Sequence, residues 1–373
     1  MTAAASISPH NTQDGQHGEA TRQPAWDHQH VLDLDDFTVD EIQTVLTTAE
    51  RMREVLDRRI ARVPALRGYT VVNLFYEPST RTRVSFELAG KVLGADVISV
   101  ASSTSSVVKG ESLIDTVRTL RAMRADAIVM RHSIAGSPYL AAAHTDASII
   151  NAGDGAHAHP TQALLDLYTI QSRLGSIEGK RVVMIGDIAH SRVARSDMWG
   201  LTAMGAEVVL CGPPTLMPRG LKTSDRPAHA EAALPRVTVE TDIDRAIEGA
   251  DVVMALRLQS ERQEGGLLPS LHEYAQMYQV TAARLARAKP GHVLMHPGPK
   301  NEGIEIAGSV AVGQSSIIEE QVTNGVAIRM ALLYLLSGRT ELPGQDSSPA
   351  SSAGSSTGSS TGSVPGAGSE ARS

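Results

Sequence analysis

Apolar positions along the chain follow two spacings that alternate over most of its length. The capping-box pattern Thr38-Val-Asp-Glu41, followed by apolar residues every three or four positions, predicts a first helix. Short runs rich in Val and Ile then predict buried strands, with helical spacing between them, as in the helix expected to begin at Ser112. These runs are 70–76, 96–100, 127–130 and 148–151. The alternation is typical of a parallel α/β sheet.

A second unit repeats this rhythm after a helical pattern at 161–174, which Gly175 closes. Its strand-like runs are 181–185, 207–211, 237–239, 251–255 and 292–295. The fold class predicted is α/β, with two doubly wound parallel-sheet domains joined by interdomain helices. The apolar pattern at 319–336 is long enough to return to the first unit, although periodicity does not fix its destination.

The pattern divides the chain into two domains and two tails. We expect a disordered N-terminal tail at 1–28, a first domain at 29–165 completed by a C-terminal helix at 316–340, and a second domain at 166–315. A disordered tail is expected at 341–373, because from Pro343 onward it consists almost entirely of Ser, Gly, Thr, Ala and Pro. Such a segment lacks the apolar area that would offset the entropy of ordering it.

Composition excludes several classes of protein. The 42% hydrophobic content suits a packed globule, and no apolar run approaches the ~20 residues of a membrane span. A net charge of −7 and only two Trp, seven Tyr and three Phe argue against a nucleic-acid partner. One cysteine, Cys211, excludes an intramolecular disulfide and a thiolate metal cluster. We therefore expect a cytoplasmic protein without membrane or nucleic-acid partners.

The segment Ser-Thr-Arg-Thr-Arg at 79–83 follows a predicted strand and opens a helix. A helix start offers unpaired N–H groups, and here three hydroxyls and the guanidinium of Arg81 join them, which predicts a phosphate site. Arg83 falls on nearly the opposite side of the helix, so a structural role is expected for it. The alternative is an ordinary N-cap with arginines on a solvated face.

Three further motifs place polar groups where predicted strands end or helices begin. Arg131 ends a strand, His159-Pro-Thr-Gln162 opens a helix, and a turn at 295–299 follows the last strand. Ligands of α/β sheets bind at such edges, although each motif alone could be a cap or a solvated residue. His157 and His159 lack a third ligand at suitable spacing, so no metal is expected. The absence of Gly-x-Gly-x-x-Gly at Gly186 argues against a dinucleotide cofactor.

The chain resembles the aspartate and ornithine carbamoyltransferases, whose carbamoyl-phosphate loop matches 79–83 verbatim. The resemblance extends from Leu32 to Leu336 and covers neither tail. It implies catalytic roles for Arg81, Thr82, Arg131 and His159. It implies that carbamoyl phosphate is bound by Ser79, Thr80, Arg81, Thr82, Arg131, His159, Gln162, Gly298 and Pro299. Gly298 stands where many members of the family have leucine. This difference should matter little if the backbone carbonyl makes the contact with the carbamoyl nitrogen.

The second substrate is expected to be aspartate, because two carboxylates need several cations whereas ornithine needs an acidic or carbonyl partner. The resemblance implies that aspartate is bound by Lys109, Arg192, Arg257 and Gln259. Lys109, with Ser105, would enter the site of a neighbouring subunit from a mobile loop. The Ser-Met-Gly and His-Cys-Leu-Pro motifs of the ornithine branch are missing from this sequence.

The resemblance implies transfer of the carbamoyl group to the amine of L-aspartate, giving N-carbamoyl-L-aspartate and phosphate in the second step of de novo pyrimidine biosynthesis. No cofactor is implied. The partners implied are the two substrates, a homotrimer with shared sites, and a higher assembly with a regulatory chain or another pyrimidine enzyme. Two alternatives stay open: another acceptor such as ornithine, and a non-catalytic anion-binding regulatory or scaffolding protein.

Overall fold

Two parallel β-sheets form the framework of the protein. The structure is a computed structural model that describes residues 26–101, 111–221, 235–259 and 266–338. The first sheet has the order β2-β1-β3-β4 and the second the order β7-β6-β5-β8-β9. Their strands are β1 Thr70–Phe75, β2 Asp96–Ala101, β3 Ala127–His132, β4 Ser148–Asp154, β5 Arg181–Ile185, β6 Glu207–Cys211, β7 Thr238–Glu240, β8 Val252–Ala255 and β9 Val293–Met295. The predicted fold class is confirmed, and the tails expected at either end lie largely outside the described residues.

Helices connect the strands, as parallel pairing requires. They are α1 Val39–Leu56, α2 Thr80–Val92, α3 Leu113–Ala122, α4 Ser137–Ala142, α5 Pro160–Leu174, α6 Arg192–Ala203, α7 Ile243–Ile247, α8 Leu271–Tyr278, α9 Ala282–Leu285, α10 Gly308–Ala311 and α11 Ile318–Leu336. α1 begins with the predicted capping box, in which Thr38 N–H donates to Glu41 at 2.7 Å and Glu41 N–H donates to Thr38 Oγ1 at 3.3 Å. None of the described helices is long and apolar enough to cross a membrane.

Two strands continue beyond their apolar runs. β3 includes Arg131 and His132, and β4 reaches Asp154. The polar end of β4 stays buried because its side chains are hydrogen-bonded: Asn151 Nδ2 donates to Asp154 Oδ1 at 2.9 Å and to Leu32 O at 2.8 Å. The strand ends predicted from hydrophobicity alone therefore fell two or three residues short, at the edge of the sheet where the polar side chains lie.

Two long helices join the sheets. α11 packs against α1, α2 and α5, and α5 also packs against α6. One apolar core runs from Val71 in the first sheet through Leu164 and Ile328 to Met184 in the second. Since α5 crosses the predicted boundary between residues 165 and 166, the division at that point stays a prediction.

A carboxyl group is buried within this helical region. Asp197 on α6 is fully buried, and neither of its oxygens has a hydrogen-bond partner. Burial, with the charge of Asp166 as a second cause, raises the pKa of Asp197 well above its ordinary value. Burial of Asp197 therefore favours its protonated form and costs folding free energy.

We predict that Asp197→Leu stabilises the protein. A raised pKa in the folded state means that the stabilisation provided by the carboxyl is complete only below the unfolded pKa near 4 and is lost as pH rises towards the folded pKa. The leucine variant should therefore gain about 1–3 kcal/mol in unfolding free energy at pH 8 and less at pH 5. Denaturant unfolding at both pH values measures this. The exposed variant Glu54→Gln is the control, and a leucine variant less stable at pH 8 would contradict the prediction.

Candidate active site

The predicted site residues meet in one cavity of about 990 Å³. Its walls follow the carboxyl ends of β1, β3, β4, β5, β8 and β9, where ligands of parallel sheets bind. The predicted residues that line it are Ser79, Thr80, Arg81, Thr82, Arg131, His159, Gln162, Arg192, Arg257, Gln259, Gly298 and Pro299. Lys109 and Ser105 lie outside the described residues. Arg83, for which a structural role is expected, is absent from the lining.

The start of α2 lines one side of the cavity. Ser79 occupies the N-cap position, but its side chain makes no capping hydrogen bond. No acidic residue lies in the first turn of this helix. The hydroxyl, the first-turn N–H groups and the positive end of the helix dipole are therefore available to an anion in the cavity. An ordinary N-cap does not describe this geometry.

Positive charge is concentrated beside this helix start. Burial, with repulsion from Arg257 as a second cause, lowers the pKa of Arg81, and no ion pair joins Arg81 to any described carboxylate. Burial and the same arginines lower the pKa of His296 to about 3, with Lys300 adding to the effect. His296 is therefore neutral, and the potential in the cavity favours anionic ligands.

Glu77, which the sequence analysis did not assign, links the two domains across the cavity. Its Oε1 accepts hydrogen bonds from Arg131 Nη2 at 2.5 Å and from Arg192 Nη2 at 2.7 Å, and its Oε2 accepts from Arg192 Nη1 at 3.1 Å. It is the one acidic side chain among the described residues that line the cavity. The sequence offered one signal for a role of Glu77, its position between β1 and the loop at 79–83.

The end of β4 supports the same two arginines. Arg131 Nη1 donates to Ala152 O at 3.1 Å, and Arg192 Nη1 donates to Gly155 O at 3.1 Å. A Cβ on Gly153 would lie 2.7 Å from Arg192 Nε, and its φ of +113° also suits glycine alone. A glycine at this position therefore lets both guanidinium groups approach the backbone.

His159 lies at the N-cap of α5, with Pro160 in the first turn, and its ring makes no capping bond. Its backbone N–H donates to Ser196 Oγ at 2.9 Å, and that hydroxyl donates to Asp33 Oδ1 at 2.9 Å. Burial raises the pKa of Asp33 to about 6. The position of His159 thus depends on an N-terminal residue and on α6, neither of which the motif reveals.

Buried carboxylates hold the loop that carries Arg257 and Gln259. Leu258 N–H donates to Glu305 Oε1 at 3.0 Å, and Gln259 N–H donates to Asp187 Oδ2 at 3.3 Å. Both acids are almost fully buried. These two hydrogen bonds fix the backbone of the loop, and the side chains of Arg257 and Gln259 line the cavity.

The turn after β9 packs directly against Arg81. Gly298 has a φ of +64°, and a Cβ there would lie 2.0 Å from Arg81 Nη1. A side chain at this position would therefore require the Arg81 guanidinium to move, and the expectation that glycine in place of leucine matters little stays a prediction. α11 also contributes Gln321 and Arg329 to the lining, two polar residues within an apolar helix that the sequence analysis left unassigned.

Comparison with known proteins identifies the family. Residues 29–172 match the model of the aspartate/ornithine carbamoyltransferase carbamoyl-P binding domain, and residues 178–336 match that of the Asp/Orn binding domain. The chain belongs to the aspartate/ornithine carbamoyltransferase family. It is 60% identical over 310 residues to the aspartate carbamoyltransferase catalytic subunit of Roseiflexus castenholzii, covering 83% of this chain and 95% of that protein. The Dehalococcoides mccartyi catalytic subunit is 56% identical, covering 85% and 94%.

Solved structures of carbamoyltransferases share this fold. Aspartate transcarbamoylase from Trypanosoma cruzi in complex with carbamoyl phosphate aligns with a TM-score of 0.73 at 31% identity, covering 82% of this chain and 95% of that chain. Ornithine carbamoyltransferase from Pyrococcus furiosus aligns with a TM-score of 0.73 at 30% identity, covering 84% and 98%. Structural similarity thus extends to both branches of the family.

We predict that Glu77→Gln weakens the connection between the domains. The amide keeps one acceptor but loses the charge that two arginines share, so the contact between the domains at Glu77 becomes less favourable. Activity at saturating substrate should fall about 10- to 100-fold, and the unfolding free energy should fall by about 1–3 kcal/mol because two buried arginines lose their shared charge. Steady-state kinetics and denaturant unfolding measure the two effects. Glu87→Gln on the outer face of α2 is the control, and unchanged activity in the Glu77 variant would contradict the prediction.

Proposed function

We propose that the chain transfers the carbamoyl group of carbamoyl phosphate to the amine of L-aspartate. The products are N-carbamoyl-L-aspartate and phosphate, as in the second step of de novo pyrimidine biosynthesis. The observation that carries this proposal is the meeting of the α2 phosphate loop with Arg192 and Arg257 of the second sheet in one cavity. Relatives named aspartate carbamoyltransferase catalytic subunit, about 60% identical, support it.

In this proposal carbamoyl phosphate binds with its phosphate at the start of α2. Ser79, Thr80 and Arg81 contact the phosphate oxygens. Arg131, Thr82 and His159 stabilise the negative charge that develops on the carbonyl oxygen. The amide nitrogen is recognised by Gln162 and by the backbone carbonyls of Gly298 and Pro299.

Aspartate then enters from the side of the second sheet. Arg192, Arg257 and Gln259 orient its carboxylates so that the amine attacks the carbonyl carbon. A tetrahedral intermediate forms, the bond to the phosphate oxygen breaks, and the leaving phosphate takes the proton that the amine releases. Catalysis by this route rests on positioning and electrostatics.

Charge in the cavity favours aspartate over ornithine. The ammonium of the ornithine side chain would need an acidic or carbonyl partner. Glu77 is the one acidic side chain in the described lining, and Arg131 and Arg192 already share it. The excess of arginines instead suits the second carboxylate of aspartate.

We also propose a homotrimer with shared active sites. β2 lies at the edge of the first sheet and leads directly into residues 102–110, which include Lys109. Near this edge, Val84 and Leu88 of α2 and Ile98 of β2 are about half exposed. These apolar residues suit contact with a second copy. A higher assembly with a regulatory chain or another pyrimidine enzyme, and a cytoplasmic location, stay predictions.

The purified chain should form a ureido product from carbamoyl phosphate with L-aspartate and not with L-ornithine. Arg257→Ala should lower kcat/KM for aspartate about 100-fold, because charge-assisted hydrogen bonds to a carboxylate are lost. Arg195→Ala is the matched control, since this exposed arginine does not line the cavity. Turnover with ornithine alone would overturn the choice of acceptor.

Mixing two inactive variants tests the shared site. Chains with Lys109→Ala and chains with Arg81→Ala are each expected to lack activity. In randomly mixed trimers, about one quarter of the sites regain both residues from different subunits, so about a quarter of the parental activity should return. No recovery, in trimers shown by mass to be mixed, would count against shared sites.

A further inference from the structure

Asp166 lies beneath the cavity without lining it. It is fully buried on α5, one turn after Gln162. Its two oxygens each accept from Gln162 Nε2 at 3.2 Å, and its Oδ1 also accepts from Gln321 Nε2 of α11 at 2.7 Å. One buried carboxyl group therefore holds two glutamine side chains that line the cavity.

The second glutamine extends this network to the turn after β9. Gln321 Oε1 accepts the backbone N–H of His296 at 2.9 Å. His296 Nδ1 in turn accepts the N–H of Gly298 at 2.8 Å. Asp166 is thus connected on one side to Gln162 and on the other to the turn of Gly298 and Pro299, the two groups proposed to contact the carbamoyl nitrogen.

The carboxylate decides which way each amide faces. An ionised carboxylate only accepts hydrogen bonds, so an amide beside it turns its NH₂ group towards it and its oxygen away. For Gln321 the oxygen meets the N–H of His296. For Gln162 the oxygen is left as the amide atom nearer the cavity, where it accepts and cannot donate.

We propose that Asp166 is a positioning residue that makes this site select a carbamoyl group over other acyl groups. By orienting Gln162 and the turn after β9, it presents acceptors where the substrate carries an NH₂ group. An acyl phosphate with a methyl group at that position would leave these acceptors without a donor. This inference rests on the proposed function and adds the basis of its selectivity.

The charge of Asp166 has a counter-ion on α11. Arg329 is fully buried and attracts the carboxylate. Burial raises the pKa of Asp166 to about 7, while the two glutamines and Arg329 act in the opposite direction. The test is therefore made at about pH 8, where the carboxylate form predominates.

The experiment compares carbamoyl phosphate with acetyl phosphate, which carries a methyl group in place of the NH₂ group. Dissociation constants of both are measured by ligand-induced shifts in melting temperature, alongside turnover with aspartate. Asp166→Asn keeps the shape but supplies an NH₂ group, so one of the glutamines must turn over. We expect carbamoyl phosphate to bind about 10- to 100-fold more weakly and acetyl phosphate to change less than about 3-fold.

A double-mutant cycle and a control separate positioning from general damage. If Asp166 acts through Gln162, then Gln162→Met and Asp166→Asn together should change selectivity by much less than the product of the single effects. Thr169→Val is the control, because it removes a buried hydroxyl one turn further along α5 that accepts from Asn324 Nδ2. It should lower stability and leave the selectivity ratio unchanged.

Equal weakening of both ligands in Asp166→Asn, or no change in either, would overturn the inference. If Asp166→Asn does not fold, Gln321→Met decides the same question, and an unchanged selectivity ratio in that variant would overturn it. Failure of the proposed function is distinct, because it would appear as absence of turnover in the parent protein. The ratio of the dissociation constants for carbamoyl phosphate and acetyl phosphate can be measured whether or not the parent protein turns over.

Discussion

The cavity depends on holding several guanidinium groups close together in a partly buried space. Arg81, Arg131, Arg192 and Arg257 come from both sheets, and Glu77 is the one acid in the described lining that offsets them. Like charges at such distances repel, so the arrangement is stable only if the surrounding structure fixes each arginine or if anions enter. The lowered pKa of Arg81 reflects burial first and repulsion from Arg257 second.

Buried acids behind the cavity provide much of that support. Asp187 and Glu305 hold the backbone beside Arg257, Asp33 reaches His159 through a serine hydroxyl, and Asp166 orients the amide groups. Each accepts hydrogen bonds from N–H or O–H groups of the protein, and so fixes the backbone or side chain that donates to it. The exception is Asp197, whose oxygens have no partner and whose pKa is raised accordingly.

Much of the cavity could be predicted because its groups lie in short local motifs. The loop at 79–83, the motif from His159 to Gln162 and the turn after β9 each combine a strand end or helix start with donors, which a sequence displays directly. Gln321 and Asp166 were missed because a single acid or amide within a helical pattern has no local signature, and Glu77 was missed although its place before the loop at 79–83 was a signal. Their partners lie as many as 155 residues away.

Hydrophobic periodicity and local motifs determined the two parallel sheets, the capping of α1 and most of the groups facing the cavity, because these depend on neighbours within one or two turns of chain. Tertiary structure alone decided that α11 packs between α1, α2 and α5, that Glu77 joins Arg131 to Arg192, and that Gly298 packs against Arg81. Those contacts join elements distant in sequence. Their energies depend on burial and mutual orientation, which exist only once the chain has folded.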